Sequence, residues 1–316
     1  MPCRMVRLFP VALMLLGGAV FAQDYPARLI RIVTAPPGGG NDFAARLIMK
    51  GLTERVGWQV VIDNRPTIIS SEVVSRAVPD GYTLLVAGGS FISGPLLEKL
   101  SYDPLRDFAA ISITHRQPNV LVVHPSVPVK SVRELIALAK ARPGALNYAT
   151  AGAGSTNHIA SEMFNAMAGV RTVRVNYKGV GAAVNSLVGG ETQLMYVNLP
   201  SVAAYLQAGR LRALAITSAE PSPLRPDLPT MAASGLAGFE SFLMTGVYAP
   251  AGTPAAIVGR LNQEIVRVIN LPDIKEKFLN LGIETVGSSP QEATAAIRSE
   301  IASISKLIKE GGIRTK

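Results

Sequence analysis

The sequence predicts an α/β protein of two domains. Short apolar runs rich in Val, Ile and Leu alternate with longer amphipathic stretches, and Gly and Pro separate the two kinds of segment. Such alternation is typical of βαβ units, in which parallel strands are buried between helices. The chain has 316 residues, 48% of them hydrophobic, and a domain usually takes about 150 residues, so the length also suggests about two domains.

Residues 1–22 are predicted to be an export signal that lies outside the fold. Arg4 and Arg7 precede an apolar run over residues 8–21, and Ala22 ends the stretch with a small side chain. This is the pattern of a secretory signal peptide, and the run is shorter than the roughly 20 apolar residues that span a bilayer. The only cysteine, Cys3, leaves with the signal. The mature chain therefore offers no thiolate nucleophile or metal ligand.

The charge balance suits an anionic partner without identifying it. The chain carries 31 Lys and Arg against 22 Asp and Glu, a net charge of +9, which becomes +7 once Arg4 and Arg7 are removed. Nucleic acid, a membrane surface or a small acid would each fit this charge. The basic residues are scattered along the predicted helices without interleaved aromatic side chains, and this spacing argues against nucleic acid.

The predicted elements follow one another as strand, loop and helix. The first unit is a strand over 29–34, a glycine-rich loop over 36–40, a helix over 41–56 closed by Gly57, and a strand over 58–63. Further strands are predicted over 82–86, 111–114, 120–123, 146–149, 172–176, 193–197, 213–217 and 242–248. Further helices are predicted over 132–142, 159–168, 182–188 and 202–208, and the chain beyond Pro254 is predicted to be helical.

Local signals support several of these boundaries. Ser131 and Glu134 have the spacing of a capping box, and so do Ser289 and Glu292. Residues 219–236 are rich in Pro and Ser and are predicted to form a surface loop with one short helix.

The order of elements predicts how the two domains share the chain. Domain I is predicted to comprise residues 23–122 and 244–316, and domain II residues 123–243. The strands near 120–123 and 242–248 would then be the two crossings between the domains. Two hinge strands suit a protein that closes around a ligand.

The loop from Pro36 to Asp42 is the strongest candidate for a binding site. A glycine-rich turn after a buried strand, leading into a helix, directs several backbone N–H groups and the positive end of the helix at one place, which attracts a phosphate or carboxylate. Alternatively, the glycines only make a turn, and Asn41 or Asp42 caps the helix. Asp42 also competes for the helix dipole. No Lys-Ser or Lys-Thr follows, so the loop is not a P-loop.

A second loop, residues 151–158, again joins a strand to a helix. It supplies the hydroxyls of Ser155 and Thr156 and the imidazole of His158, so it could form the opposite wall of a cleft. The alternative is an ordinary N-capped helix with His158 partly buried at the surface. Tyr177 and Asn198, at the ends of neighbouring strands, are further candidates for the cleft wall.

No enzyme, cofactor or metal site is predicted. Ser155 does not lie in a Gly-x-Ser-x-Gly elbow, and nothing assigns it a base and an orienting acid. The three histidines have no metal-ligand spacing.

Many ordered motifs resemble one family. They are Pro36-Pro37-Gly38-Gly39-Gly40-x-Asp42, Asn64-Arg65-Pro66, Pro79-Asp80-Gly81-Tyr82-Thr83-Leu84-Leu85, Tyr102-Asp103-Pro104, Asp107-Phe108, Asn147-Tyr148-Ala149, Ala151-Gly152-x-Gly154-Ser155, Tyr177-Lys178-Gly179, Asn198-Leu199-Pro200-Ser201, Leu211-Arg212-Ala213-Leu214-Ala215 and Ala249-Pro250-Ala251-Gly252-Thr253-Pro254. Together they look like the Bug family, the extracytoplasmic receptors of tripartite tricarboxylate transporters, over essentially the whole mature chain.

This resemblance implies a fold, a function and a location. The fold would be that of a type II-like periplasmic binding protein, with two α/β domains joined by two hinge strands and a ligand cleft between them. The protein would capture a small organic acid in the periplasm, as a monomer without a cofactor, and deliver it to the membrane subunits of the transporter. The alternative is a periplasmic sensor whose closed form docks on a signalling protein.

The resemblance also assigns roles to the candidate residues. One carboxylate would be held by the backbone of Gly39, Gly40 and Asn41, with Asp42 placing the helix end. The remaining wall residues would be Thr67 and Ser90 in domain I and Ser155, Thr156, His158, Tyr177 and Asn198 in domain II.

The loop after the second strand departs from the family pattern. Relatives continue from Asn-Arg-Pro into a glycine-rich stretch, whereas this chain has Thr67, Ile68 and Ile69, and Val197 stands where many relatives carry an acid. Glycine lets a backbone approach a ligand closely, and β-branched residues do not. Either the ligand is more apolar or less charged at that end, or acid binding is lost.

Overall fold

The computed structural model describes residues 25–37, 40–152, 154–222, 225–280 and 282–309, with Thr67 described by its backbone alone. The predicted signal peptide, residues 1–22, lies outside the described residues. No helix in the described ranges is long and apolar enough to cross a membrane.

The chain alternates strands and helices. Its first part contains β1 (Ile30–Thr34), α1 (Gly40–Gly51), β2 (Val60–Asn64), α2 (Thr67–Ser75), β3 (Thr83–Gly88), α3 (Ser90–Leu97) and β4 (Phe108–Val123). Its middle part contains α4 (Val132–Ala141), β5 (Asn147–Thr150), α5 (Thr156–Ala168), β6 (Val173–Asn176), α6 (Val180–Val188), β7 (Leu194–Asn198), α7 (Ala203–Gln207) and β8 (Arg212–Ile216). The chain then forms β9 (Phe242–Pro250), α8 (Ala255–Ile269), α9 (Pro272–Leu279), β10 (Glu284–Thr285) and α10 (Pro290–Lys309).

The strands form one continuous sheet with the order β2-β1-β3-β9-β4-β7-β5-β6, and β8 and β10 pair with β4 in addition. β1 is parallel to β2 and β3, and β5 is parallel to β6 and β7. β9 and β4 run antiparallel to their neighbours. The predicted parallel βαβ pattern is therefore right for each group of three strands and wrong for the two strands between them.

β4 connects the two halves of the sheet. Residues 108–118 pair with β9, and residues 119–123 pair with β7 and β8. The predicted separate strands over 111–114 and 120–123 are one strand. The change of partner falls at Pro118, which has no N–H to donate to a ladder.

The two halves have separate hydrophobic cores, and we call them the first and second lobes. In the first lobe, α1, α8 and α9 pack on one face of β1–β3 and β9, while α2, α3 and α10 pack on the other. In the second lobe, α4 and α5 cover one face of β5, β7 and the end of β4, and α6 covers the other. The domain limits at 122/123 and 243/244 stay a prediction.

The helix caps follow the local sequence signals. Gly57 closes the first helix with φ 81°, after a short π-helical extension of α1 over Leu52–Val56. Glu134 N donates to the Ser131 hydroxyl over 3.2 Å, although the Glu134 carboxylate accepts from Lys130 N instead of completing the box. Ser289 and Glu292 form the full reciprocal pair.

Two helices and one loop differ from the prediction. α2 and α3 were not predicted, since the residues that begin α2 are a β-branched and hydroxyl-rich run with weak helix propensity. Within 219–236, the described residues form turns and no helix. Backbone bonds tie this loop to β8, because Ile216 N donates to Pro229 O and Met231 N donates to Ile216 O.

Candidate functional site

The helices after the first three strands begin at one edge of the sheet. β1, β2 and β3 are parallel, and Thr34 lies opposite both Asn64 and Val86, so their carboxyl ends are adjacent. α1, α2 and α3 start directly beyond these ends. The first N–H groups of a helix have no partner within it, and the helix dipole is positive there. This edge therefore offers hydrogen-bond donors to an anion.

Asp42 fixes the loop that leads into α1. Its buried carboxylate accepts from Arg46 Nε over 3.0 Å and from Asn64 Nδ2 over 2.8 Å. The same Asn64 amide donates to Ala35 O over 2.7 Å. Asp42 and Asn64 thus connect the start of α1 to the end of β2. The Asp42 carboxylate would compete with a bound anion for the helix dipole, and the charge of Arg46 offsets this effect.

The other candidates in the first lobe occupy the beginnings of helices. Gly39 lies outside the described residues. Gly40 opens α1, and a Cβ placed there would meet nothing within 4 Å, so its backbone is accessible. The Asn41 side chain accepts from Thr245 Oγ1 on β9 over 3.1 Å. Ser90 is the exposed first residue of α3.

Thr67 is the first residue of α2, so the altered stretch after Pro66 is a helix start. The helix is held to β1 because the Ser70 hydroxyl donates to Thr34 O over 2.9 Å. The first N–H groups of this helix have no partner within the helix. Ile68 and Ile69 remain 38% and 42% exposed on this turn.

Ser155 caps α5 in the second lobe. Its hydroxyl accepts weakly from His158 N over 3.4 Å and donates to Gly152 O over 2.7 Å. Thr150 Oγ1 lies 2.9 Å from the same hydroxyl. The capping alternative therefore describes the Ser155 side chain, while Thr156 is half-buried at the first position of the helix.

His158 is buried, with 1% of its surface exposed. Gly154 N–H donates to its Nδ1 over 3.0 Å, and Arg174 NH1 lies 2.7 Å from its Nε2. Burial and, to a smaller extent, the charge of Arg174 together lower the pKa of His158 to about 4. The ring is buried and holds Gly154, so the alternative of a partly buried surface residue is wrong, while the ligand contact stays a prediction.

Tyr177 and Asn198 lie at the ends of β6 and β7. The Tyr177 hydroxyl donates to Glu191 Oε2 over 3.4 Å, and its ring is partly buried against the α6 side of the lobe. Asn198 Oδ1 accepts from Ser201 N over 3.1 Å and caps the short helix Leu199–Ser201.

The two lobes meet where α3 and α5 begin. The Ser93 hydroxyl on α3 donates to Gly154 O over 2.8 Å. A Cβ placed on Gly154 would lie 2.6 Å from Leu97 Cδ1, and one placed on Gly89 would lie 3.9 Å from Thr156 Cγ2. The start of α5 is thus directly opposite the start of α3.

Sequence reasoning missed Asn64 and Ser93. Asn64 was within reach, because it belongs to the Asn64-Arg65-Pro66 motif. Ser93 gave no signal, since it is a small residue in an unpredicted apolar helix whose partner lies 61 residues away.

The fold and the paired helix starts define a two-lobed solute-binding receptor. Residues 44–313 match the family described as the tripartite tricarboxylate transporter family receptor, and the chain belongs to this family. It is 34% identical over 308 residues to protein BugT of Bordetella pertussis, which covers 95% of this chain and 94% of that protein. The resemblance to the Bug family is confirmed.

Two solved structures share the fold. Rpa4515 of R. palustris, solved with adipate, has a TM-score of 0.82 and 36% identity, covering 93% of this chain and 100% of that chain. MatC of Rhodopseudomonas palustris, solved with bound malate, has a TM-score of 0.75 and 28% identity, covering 89% of this chain and 99% of that chain. The predicted fold class is confirmed. Receptors of this family are periplasmic, are not enzymes, bind small carboxylates and serve tripartite transporters.

Proposed function

We propose that this chain is a monomeric, non-enzymatic receptor that binds a small carboxylate between its lobes and delivers it to the membrane subunits of a tripartite tricarboxylate transporter. The observation that supports this most directly is the meeting of helix starts from both lobes, with α1, α2 and α3 on one side and α5 on the other. Adipate and malate in related structures are ligands of the same chemistry. Removal of residues 1–22 during export would place the receptor in the periplasm.

The start of α2 favours altered specificity over loss of acid binding. Its first-turn N–H groups keep hydrogen-bond donors at the position of the missing glycine-rich stretch. The exposed Ile68 and Ile69 place apolar surface beside these donors. A carboxylate attached to a hydrocarbon body fits this combination better than a compact, highly charged acid.

The test is calorimetric titration of the mature chain after unfolding and refolding to remove bound ligand. Adipate and hexanoate are expected to bind, and adipamide is not, because it has the same length without the negative charge. Asp42→Asn is expected to raise the adipate Kd about tenfold through loss of a charged hydrogen-bond partner. Asp273→Asn, at the exposed start of α9, is the matched control and should leave Kd unchanged. Equal binding of adipate and adipamide, or silence with every acid, would contradict the proposal.

A further inference from the structure

A second cavity lies between the lobes, apart from the strand ends of the proposed carboxylate site. It has a volume of about 220 Å³. One wall is a face of α5 with Ile159 and Met163, the opposite wall is a face of α10 with Glu300 and Ile304, and Arg116 of β4 lines it as well. Thr156, at the start of α5, lies between this cavity and the carboxylate site.

Two residues that line this cavity, Arg116 and Glu300, each have one buried side-chain atom without a hydrogen-bond partner in the part of the chain that the structure describes. Among the described residues, five buried side-chain atoms have none, and two of them are Arg116 Nε and Glu300 Oε2. A third, the Tyr248 hydroxyl, is close enough for the Glu300 charge to raise its pKa, after the larger effect of burial. Buried polar atoms in folded proteins nearly always have a partner. Two such atoms on residues that line one cavity make it a candidate site for a polar ligand.

The two side chains carry opposite charges when both are ionised, but they do not pair with each other. No ion pair joins Arg116 to Glu300 among the described side chains, and the Arg116 guanidinium instead lies over the Phe242 ring, 4.5 Å from its centroid. A zwitterion would present a carboxylate to Arg116 and an ammonium to Glu300. Each contact would be a charge-assisted hydrogen bond. The apolar side chains on α5 and α10 would cover an aliphatic side chain that lies beside the two charges.

We propose that this cavity is a second ligand site, which binds a small aliphatic amino acid as a zwitterion between Arg116 and Glu300. The site does not depend on the proposed carboxylate function. It is formed by both lobes, so its occupant would contact the start of α5 and the face of α10 together.

Protonation of Glu300 gives the proposal a specific signature. Burial raises the pKa of Glu300 to about 8, against the lowering effect of Arg116. The other titratable groups that face it are Tyr248 from β9 and Glu240 at the cavity mouth, and the α5 face contributes none. In the empty cavity at pH 7, Glu300 is therefore mostly protonated. A ligand ammonium favours the carboxylate, so amino-acid binding should release a proton.

The experiment is calorimetric titration of the ligand-stripped mature chain with L-alanine and L-valine at pH 7, in two buffers of different ionisation enthalpy. Propionate and ethylamine serve as probes that carry only one of the two charges. Alanine and valine are expected to bind with release of close to one proton, and each single-charge probe at least about tenfold more weakly. Silence with both amino acids, or equally tight propionate binding without proton release, would overturn the proposal.

Variants locate the binding. Arg116→Gln and Glu300→Gln are each expected to weaken alanine binding at least about tenfold, and Glu300→Gln should abolish proton release. Arg298→Gln removes a charge from the exposed face of the same helix and should change neither quantity. Arg116→Lys keeps the positive charge, so it shows whether the charge can be retained in a folded protein if Arg116→Gln does not fold. Alanine affinity that survives both cavity substitutions in folded protein would show that the amino acid binds elsewhere and would overturn the proposal.

Discussion

His158 is the residue on which the shape of the second-lobe loop depends most directly. Its Nδ1 accepts from Gly154 N–H, and Gly154 O in turn accepts from Ser93 across the lobe boundary. A single buried ring therefore connects the core of the second lobe to the contact with the first. We therefore propose that His158 positions this loop.

His158→Ala should both destabilise the protein and weaken adipate binding. It leaves the buried Gly154 N–H without its acceptor and opens a small cavity, at a cost of about 2–4 kcal/mol in the free energy of unfolding. The control is His124→Ala, since His124 is half-buried at the far end of β4 and contacts the Ser126 hydroxyl. Urea unfolding and adipate titration check both variants. An unchanged Kd for folded His158→Ala would contradict the positioning role.

At the scale of elements, helix caps could be predicted from the local sequence, whereas contacts between distant strands and helices could not. The ends of α1, α4 and α10 were predictable because a cap involves residues only a few positions apart. α2 was not, because its stability draws on the bond from Ser70 to Thr34 O, 36 residues away. The same holds for the Asp42–Asn64 pair at the candidate site, whose members come together only when β1 and β2 pair.

The contact between α3 and the start of α5 can be tested at Gly154. Gly154 has φ 74°, and a Cβ there would lie 2.6 Å from Leu97 Cδ1. Gly169, at the other end of α5, has φ 61° and nothing within 4 Å of such a Cβ. Both Gly→Ala changes should cost about 1 kcal/mol in backbone strain, but only Gly154→Ala should also weaken adipate binding, because its methyl group displaces the Leu97 side chain at the contact between the lobes. Equal effects on the Kd would show that the contact does not matter for binding.

At the scale of the whole molecule, three buried groups set how stability varies with pH. Burial lowers the pKa of His115 to about 3 and that of His158 to about 4, from an ordinary value of 6.5. Below pH 6.5 these two histidines therefore bind protons in the unfolded chain but not in the folded chain, and stability falls with falling pH. Glu300, with a pKa of about 8, keeps a proton that the unfolded chain loses near 4.5, so stability also falls as pH rises towards 8.

These opposite slopes predict a stability maximum near pH 6.5. Between pH 6.5 and 4.5 the unfolded chain binds two histidine protons, and the folded chain binds one proton on Glu300. This difference of one proton makes the free energy of unfolding fall by about 1.4 kcal/mol for each pH unit of acidification. Above pH 6.5 the free energy of unfolding falls with rising pH by a similar amount. Urea unfolding at pH 5, 6.5 and 8 measures both limbs. Glu300→Gln should flatten the limb above pH 6.5 and steepen the limb below it to about 2.7 kcal/mol per pH unit, because the two histidine protons are then no longer offset. A stability that rises from pH 6.5 to 8 would contradict the protonated state of Glu300.

The sequence by itself determined the alternation of strands and helices, the caps and the glycine-rich start of α1, because these depend on period and on neighbours within one turn. The tertiary structure decided which strands run antiparallel, where β4 changes partner, and that His158 is directed inward. It also decided that Arg116 and Glu300 share a cavity, although 184 positions separate them along the chain. Such contacts join residues far apart in the chain, and no local pattern carries the information that brings them together.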